Sequence, residues 1–258
     1  MMFRPKIIGF VCNWSLPTEV DITSPVGIPS HPKIHIIRMM CVGRIDPAIV
    51  LETFAKGADG ILIVGCHPPD CHYIEGNLHA ERKIKMVKKL ISLTGLESER
   101  LRLEWAYAFE VERFAKTIND FRNQVMSLGP SPLAGDKAAT NVLLNIEAAK
   151  ASAEDFRLRV FVGREKELTE DENVYGEEIS QEEYDEIMDE AVKNEFIRNR
   201  IYLTVKKNTL SVKDLSKLLD LDSRTVLRHI VEIRQRGWVT VDRVEGTSPL
   251  YTAVEVRR

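Results

Sequence analysis

The residues of this chain best suited to chemistry are its four cysteines, Cys12, Cys41, Cys66 and Cys71. The first three each end a short apolar run, and the fourth follows Cys66 through a proline-rich stretch. Thiolates are the usual protein ligands of iron–sulfur clusters and are also common ligands of zinc. Four thiolates are enough for one cluster or for one zinc ion.

The spacing of the cysteines indicates where they meet. In an open α/β sheet, ligands bind beyond the carboxyl ends of the strands, at a switch in strand order. Cysteines that end parallel strands should therefore converge, although they are far apart in sequence. The four-residue gap between Cys66 and Cys71 is one of the spacings found around iron–sulfur clusters. The sequence thus predicts one metal site made of Cys12, Cys41, Cys66 and Cys71.

Other interpretations of the cysteines remain open. A cysteine at the end of a strand is often a small buried hydrophobe. A disulfide framework is disfavoured in a cytosolic chain of this size. Structural zinc accepts the same four thiolates, but its cysteines usually come in pairs separated by two to four residues. Cys12 and Cys41 are single, which weakens the zinc hypothesis without excluding it.

Polar residues flank the predicted site. His67 and His72 lie beside the loop cysteines and are expected to hydrogen-bond the loop backbone or a carboxylate such as Asp70. A second interpretation is that they tune a cluster through hydrogen bonds around its ligands. Arg38 and Arg44 bracket Cys41, either as solvated charges or as cations that offset a thiolate cluster.

Apolar and small residues complete the surroundings of the cysteines. Trp14 and Trp105 are expected to shield the site from water, and Gly43 and Gly65 to allow close approach of backbone segments. The chain contains no phosphate-binding glycine motif and no nucleophile–base pair. We therefore predict no catalytic residue in this chain.

The elements predicted around the site alternate between strands and helices. Strands are expected over Lys6–Cys12, Lys33–Cys41, Gly60–Cys66 and Arg100–Trp105, and Asn13–Pro32 is expected to be a loop. Helices are expected from Asp46 as N-cap to Gly57, over Leu78–Leu93, and over Glu110–Leu128. This order predicts an α/β domain of flavodoxin/Rossmann-like type, a parallel sheet with helices on both faces.

The second half of the chain has a different pattern. We predict a helix over Ala139–Ala153, an extended piece over Asp155–Gly163, and a helix over Glu182–Arg200 that starts with a capping box at Ser180. Two short helices then start near Ser211 and Ser223, and a hairpin pairs Trp238–Val241 with Leu250–Val254. This order is typical of a small α+β winged helix-turn-helix domain, over about Ile197–Val254.

Charge divides the chain into three parts. Residues 165–195 carry 14 acidic side chains and two lysines, a net charge of −12, and residues 196–258 carry +6. We therefore predict a first domain over 1–135, a helical and acidic connector over 136–195, and the winged-helix domain over 196–258. The longest apolar run has seven residues, far short of the ~20 that span a membrane. The N-terminal run is also too short for a signal peptide, so we expect a cytoplasmic protein.

Four stretches of the first half resemble a known family. They are Cys12-Asn13-Trp14, the run from Met40 to Pro47 (MCVGRIDP), the run from Lys56 to Tyr73 (KGADGILIVGCHPPDCHY), and the run from Arg100 to Trp105 (RLRLEW). In this order they strongly resemble the delta, iron–sulfur subunit of methyl-viologen-reducing hydrogenase, the MvhD/FlpD family. The resemblance covers about Lys6 to Pro130.

The resemblance implies a function. Members of this family are small 2Fe–2S proteins that pass electrons between a hydrogenase or formate dehydrogenase and HdrA, the flavin subunit of heterodisulfide reductase. The family usually has Cys-Asn-Trp-Cys where this chain has Ser15 in the last position. The simplest inference is that Ser15 marks a dispensable cysteine and that Cys12, Cys41, Cys66 and Cys71 are the ligands of the 2Fe–2S cluster.

Two functions compete for the winged helix. As a DNA reader, its second helix would enter the major groove with Arg224, Arg228 and His229. As a docking module, it would pack on a partner subunit. Its modest positive charge, next to a strongly acidic segment, is poorly suited to phosphate binding, so we favour docking over DNA. The leading hypothesis is thus an electron-transfer subunit that partners an HdrA-like flavoprotein and a hydrogenase, formate dehydrogenase or other oxidoreductase. The alternative is an iron–sulfur redox-sensing transcription regulator.

Overall fold

The computed structural model describes residues 3–15, 34–134, 139–172 and 176–254. Most of the predicted loop Asn13–Pro32 lies outside these ranges. The chain forms two compact units that divide between Tyr184 and Asp185. In the described part of the chain, no helix combines the length and the apolar character that crossing a membrane requires.

A four-stranded parallel sheet forms the centre of the first unit. The strands are β1 (Ile7–Cys12), β2 (Ile34–Met39), β3 (Gly60–Gly65) and β4 (Leu101–Trp105), in the spatial order β2-β1-β3-β4. All four strand predictions are confirmed to within two residues. Because β2 adds to one side of β1 and β3 to the other, the strand order switches between β1 and β3, where open sheets bind ligands.

Helices cover this sheet. They are α1 (Pro47–Ala55), α2 (Gly76–Ser92) and α3 (Val111–Leu128). The side chain of Asp46 accepts a hydrogen bond from the amide of Ala48 at 2.9 Å, which makes it the predicted N-cap of α1. The predicted α/β class, a parallel sheet flanked by helices, is confirmed.

The core beneath α3 is made of side chains that alternate along the strands. Phe114, Phe121 and Val125 of α3 pack on one face of β1 and β3, and the strands contribute Ile7, Val11, Leu62 and Val64. Successive strand residues point to opposite faces. Residues such as Ile61 and Ile63, which are fully buried, therefore face away from α3.

Three further helices belong to the first unit. They are α4 (Thr140–Ala153), α5 (Phe156–Gly163) and α6 (Glu165–Thr169), and α4 and α5 pack on α1 and α2. Ion pairs support this packing: Lys150 Nζ lies 2.9 Å from Glu52, and Arg159 lies 2.7 Å from Asp46. The helix predicted over Ala139–Ala153 is confirmed.

The prediction of an extended piece over Asp155–Gly163 is wrong, because this segment is α5. The apolar residues alternate there, as in a strand, but only Leu158 and Val162 are buried, and they are four residues apart on one helical face. Phe156 and Val160 are exposed. Asp155 starts the helix by accepting a hydrogen bond from the amide of Leu158 at 3.0 Å.

The second unit combines helices with a small antiparallel sheet. A long helix, α7 (Gln181–Lys207), extends past the predicted end at Arg200 and is followed by β5 (Leu210–Ser211), α8 (Val212–Leu219) and α9 (Ser223–Gln235). The predicted hairpin is present as β6 (Val239–Glu245) and β7 (Ser248–Ala253), and the sheet order is β5-β7-β6. Ser211 and Asp214 form a capping box at α8.

The core of this unit contains a buried histidine. His229 of α9 is fully buried, and neither ring nitrogen has a hydrogen-bond partner among the described residues. Burial, together with the nearby charges of Arg198 and Arg228, lowers the pKa of His229 from 6.5 to about 4. Between pH 4 and pH 6.5, His229 is therefore protonated more readily in the unfolded chain than in the folded one.

We expect this histidine to make the second unit sensitive to acid. The stability that the neutral histidine gives the folded unit is complete well above pH 6.5 and is lost as the pH falls to 4. At 1.36 kcal/mol per pKa unit, the loss in the free energy of unfolding is about 3 kcal/mol. Amide hydrogen exchange in α9 should show this loss, and H229L should remove it. H35L, at an exposed histidine of β2, is the matched control. An equal acid loss in H229L would contradict the prediction.

Candidate metal centre

The thiols of Cys12 and Cys66 meet at the switch in strand order. Cys12 ends β1, and Cys66 follows the last residue of the adjacent strand β3. Their sulfur atoms lie 3.6 Å apart, and both residues are buried. The prediction that parallel strand ends bring these two cysteines together is confirmed.

The other two cysteines lie in loops beside this pair. Cys41 follows β2 and is buried, and Cys71 is partly exposed in the loop that leads to α2. A methyl group at Gly76 would lie 2.4 Å from the sulfur of Cys41 and 3.5 Å from that of Cys71, so both sulfurs lie close to one point. The Cys66 and Cys71 thiols also share a hydrogen bond. The structure therefore brings together all four predicted residues as free thiols.

Backbone amides point at the sulfur atoms. The amide of Gly43 donates to the Cys41 sulfur at 3.3 Å. The amides of Trp14 and Val42 bond the Cys12 sulfur, and that of His72 bonds Cys66. Hydrogen bonds of this kind stabilise thiolates and tune the reduction potential of clusters bound to them.

The thiols affect one another's ionisation. The hydrogen bond that the Cys66 thiol gives lowers the pKa of Cys12 to about 7. The same shared proton, together with burial, raises the pKa of Cys66, and burial raises that of Cys41. The Cys12 thiol also lies 3.6 Å from the carbonyl oxygen of Met40, to which it can donate.

Close packing at two glycines gives the site its shape. A Cβ on Gly43 would lie 2.5 Å from the carbonyl oxygen of Gly76, so the loop after Cys41 touches the start of α2. A Cβ on Gly65 would lie 2.6 Å from the ring of Trp105. The predicted close approach of backbone segments is confirmed at Gly43, whereas the neighbours of Gly65 are the side chains of Trp105 and Val42. The role of Gly76 was not predicted. A glycine at the start of a helix is common, and the sequence does not show that the sulfur of Cys41 lies beside this one.

A half-buried cation supports the loop of Cys41. Lys83 of α2 donates from Nζ to the carbonyl oxygens of Gly43 at 2.7 Å and Ile45 at 3.4 Å. Burial lowers the pKa of Lys83. Sequence reasoning missed this residue, since α2 carries several lysines and nothing in the pattern separates Lys83 from them.

Aromatic rings stack in pairs at the loop that carries Cys66 and Cys71. Trp14 stacks on His72 with ring centroids 3.5 Å apart, and His67 stacks on Tyr107 at 4.9 Å. His67 Nδ1 also lies 3.4 Å from the carbonyl oxygen of Pro68, one of the expected backbone contacts. Asp70 accepts its hydrogen bond from the hydroxyl of Tyr107 at 2.8 Å and not from a histidine.

An exposed apolar rim lies beside the thiols, and three of its members, Met40, Tyr73 and Ile74, line a groove together with Cys41. The rim consists of Trp14, Met40, Tyr73 and Ile74, whose exposed fractions range from 44% to 82%. Ile74 has a φ of +67°, a strained conformation for a β-branched residue, and is the most exposed of the four.

The donor set fits an iron–sulfur group. Four thiols converge in a largely apolar site, and backbone amides already donate to three of the sulfurs. The chemistry of the donor set carries this fit and not the present spacing, because within the described ranges no group of three or more His, Cys, Asp and Glu side chains is arranged to hold a metal ion.

The fold and the site define a class: a flavodoxin-like α/β domain with a thiol cluster at its switch point. The family model for the methyl-viologen-reducing hydrogenase delta subunit matches residues 7–129. The vhc iron-sulfur subunit of the F420-non-reducing hydrogenase of Methanococcus voltae is 41% identical over 131 residues, 51% of this chain and 91% of that protein. The iron-sulfur subunit of the F420-non-reducing hydrogenase of Archaeoglobus profundus is 37% identical over 128 residues, 50% of this chain and 93% of that protein.

A third relative is much longer. The HdrA subunit of the ferredoxin/F420H2-dependent CoB-CoM heterodisulfide reductase of Methanosarcina acetivorans is 41% identical over 126 residues, 49% of this chain but only 16% of that protein. The chain belongs to the family of methyl-viologen-reducing hydrogenase delta subunits. The family match ends at residue 129, so the segment from α4 to β7 lies beyond it.

Proposed function

We propose that this chain is an electron-transfer subunit that holds one 2Fe–2S cluster on Cys12, Cys41, Cys66 and Cys71. The observation that carries the proposal is the convergence of four free thiols at the switch in strand order. A 2Fe–2S cluster takes four thiolates and supplies one-electron redox chemistry. The names of the relatives, which are iron–sulfur subunits, support the same group.

The protein side chains have distinct tasks in this proposal. The amides of Gly43, Trp14 and His72 hold the thiolates in place and stabilise their charge. Lys83 places a positive charge behind the loop of Cys41. The stacked rings of Trp14 and His72 hold the turn after Cys12 against the loop of Cys71.

We further propose that the cluster relays electrons between a hydrogenase, formate dehydrogenase or other oxidoreductase and an HdrA-like flavoprotein. Relatives carry the names of hydrogenase subunits. In the HdrA relative, the related segment is part of the same polypeptide, which supports a position next to that flavoprotein. The apolar rim is the docking surface, since it lies beside the thiols and is exposed.

For residues 196–258 we propose a winged helix-turn-helix that docks onto a partner protein. The supporting observation is the exposed face of α9, where Leu227 and Val231 are 46% and 47% exposed. They lie four residues apart, so they share one side of the helix. Apolar side chains at the centre of this face suit a protein partner better than phosphates, although Arg224 and Arg228 lie beside them.

The test combines capture with electron transfer. The anaerobically purified chain is mixed with an HdrA-like flavoprotein, and flavin reduction is followed after the chain has been reduced. We expect a stable one-to-one complex and fast reduction. I74N should slow the transfer at least tenfold without loss of iron, because asparagine tolerates a positive φ but removes the apolar contact.

Two results would contradict the proposal. F156N, a matched change at an exposed apolar residue of α5, should transfer electrons like the wild type. If I74N and F156N slow electron transfer equally, the rim is not the docking surface. A specific DNA footprint that changes with oxidation, without a flavoprotein complex, would favour the regulator.

A further inference from the structure

A cavity lies behind the loop of Cys41. Its volume is about 170 Å³, and it is lined by the loop before α1, by α2 and by α5. The floor is apolar and buried, with Ile45, Met86 and Val162 each less than 5% exposed. It is smaller than the about 300–1,000 Å³ of pockets for drug-sized ligands, so it fits one small group and not a whole cofactor.

Positive side chains line the edge of this cavity. Arg44, Arg82, Lys83 and Arg159 all border it, together with His79, and the one carboxylate among the lining residues is that of Asp46. Asp46 is already bound by Arg159 at 2.7 Å and by the amide of Ala48. Among the described residues of the lining, the cations therefore outnumber the acid by three.

Neighbouring groups leave much of this positive charge uncompensated. Lys83 donates to the carbonyl oxygens of Gly43 and Ile45, which carry no net charge. The charge of Arg82 acts on Glu75, but Glu75 is already held by the salt bridge from Lys166. A concave site that gathers cations in this way attracts an anion with more than one negative charge.

We propose that this cavity binds a phosphate group, as free inorganic phosphate or as the phosphate end of a nucleotide. The dianion matches the excess of cations, and arginine guanidinium groups match its oxygen atoms in geometry. The matched family segment supplies Arg44, Arg82 and Lys83, whereas Arg159 comes from α5, beyond that segment. The complete site is therefore a property of this longer chain.

Binding at this site would also affect the proposed cluster. Arg44 and His79 line both this cavity and the adjacent groove, which Cys41 borders. A bound dianion would cancel positive charge near Cys41 and make the potential of the cluster more negative. This consequence rests on the proposed function, whereas phosphate binding itself does not.

Calorimetry of the full chain with inorganic phosphate tests the site, and AMP distinguishes the two sources. We expect saturable binding of phosphate, with acetate at least tenfold weaker. R82Q and R159Q should each weaken phosphate binding at least tenfold. Tighter binding of AMP than of phosphate would identify the nucleotide as the source, and equal or weaker binding would identify the free ion.

The control is R113Q, at an exposed arginine of α3 that pairs with Glu110, and it should bind phosphate like the wild type. No saturable binding, or equal loss in R82Q and R113Q, would overturn the proposal.

A redox titration of the iron-loaded chain with and without phosphate tests the coupling. If phosphate binds but the reduction potential of the cluster does not change, only the proposed coupling is wrong. If the purified chain binds phosphate but contains no iron, the proposed electron-transfer function is wrong and the phosphate site stands.

Discussion

C66S is expected to lose almost all bound iron and with it the ability to carry electrons. Cys66 occupies the centre of the thiol cluster, since its sulfur lies 3.6 Å from that of Cys12 and its thiol shares a hydrogen bond with Cys71. A serine hydroxyl does not ionise at neutral pH and is a poor ligand for iron. Iron and sulfide per chain should fall more than tenfold, while circular dichroism should show an intact fold.

The matched control is S15A. Ser15 is buried, and its hydroxyl proton is shared between the carbonyl oxygens of Cys12 and Val64, both 3.2 Å from Oγ. It therefore supports the backbone and is not expected to bind iron, although family members usually carry cysteine there. We expect S15A to keep its iron and to lose about 1–3 kcal/mol of stability. Iron retained in C66S, or lost in S15A, would show that the ligand assignment is wrong.

G76A is expected to be the second severe variant. The added methyl group would lie 2.4 Å from the sulfur of Cys41, a distance that no real Cβ contact tolerates. Either the loop of Cys41 or the start of α2 must move, and both border the proposed site. Because alanine otherwise favours helix, the variant should fold, yet its iron content should fall at least tenfold.

G163A provides the comparison for this variant. Gly163 ends α5, and a Cβ at that position would have no described neighbour within 4 Å. Its iron content should equal that of the wild type, and its stability should change by no more than about 1 kcal/mol. Equal iron in G76A and the wild type would mean that Cys41 does not need its present position to bind metal.

The parallel sheet and the meeting of the cysteines could be predicted because both follow from local signals. Short apolar runs that alternate with helical patterns predict parallel strands, and parallel strands end at one edge. Cys12 and Cys66 therefore had to approach each other once β1 and β3 were adjacent. Asp46 could be identified as a helix cap for the same reason, since capping depends on a few neighbouring residues.

Other parts of the structure depend on contacts that no local pattern contains. The alternation in Phe156–Gly163 suggested a strand, but packing on one side of α5 buries Leu158 and Val162 only. The importance of Lys83 and Gly76 arises from segments that are distant in sequence, the loop of Cys41 and the start of α2. Tertiary packing overrides local preference in each of these cases.

The most direct test of the central proposal is the composition and spectrum of the anaerobically purified chain. We expect about two irons and two sulfides per chain, with an electron paramagnetic resonance signal that appears on one-electron reduction. The signal should be absent from C66S and present in S15A. One zinc ion per chain, without sulfide and without a reducible signal, would contradict the electron-transfer proposal and assign the four thiols to a structural site.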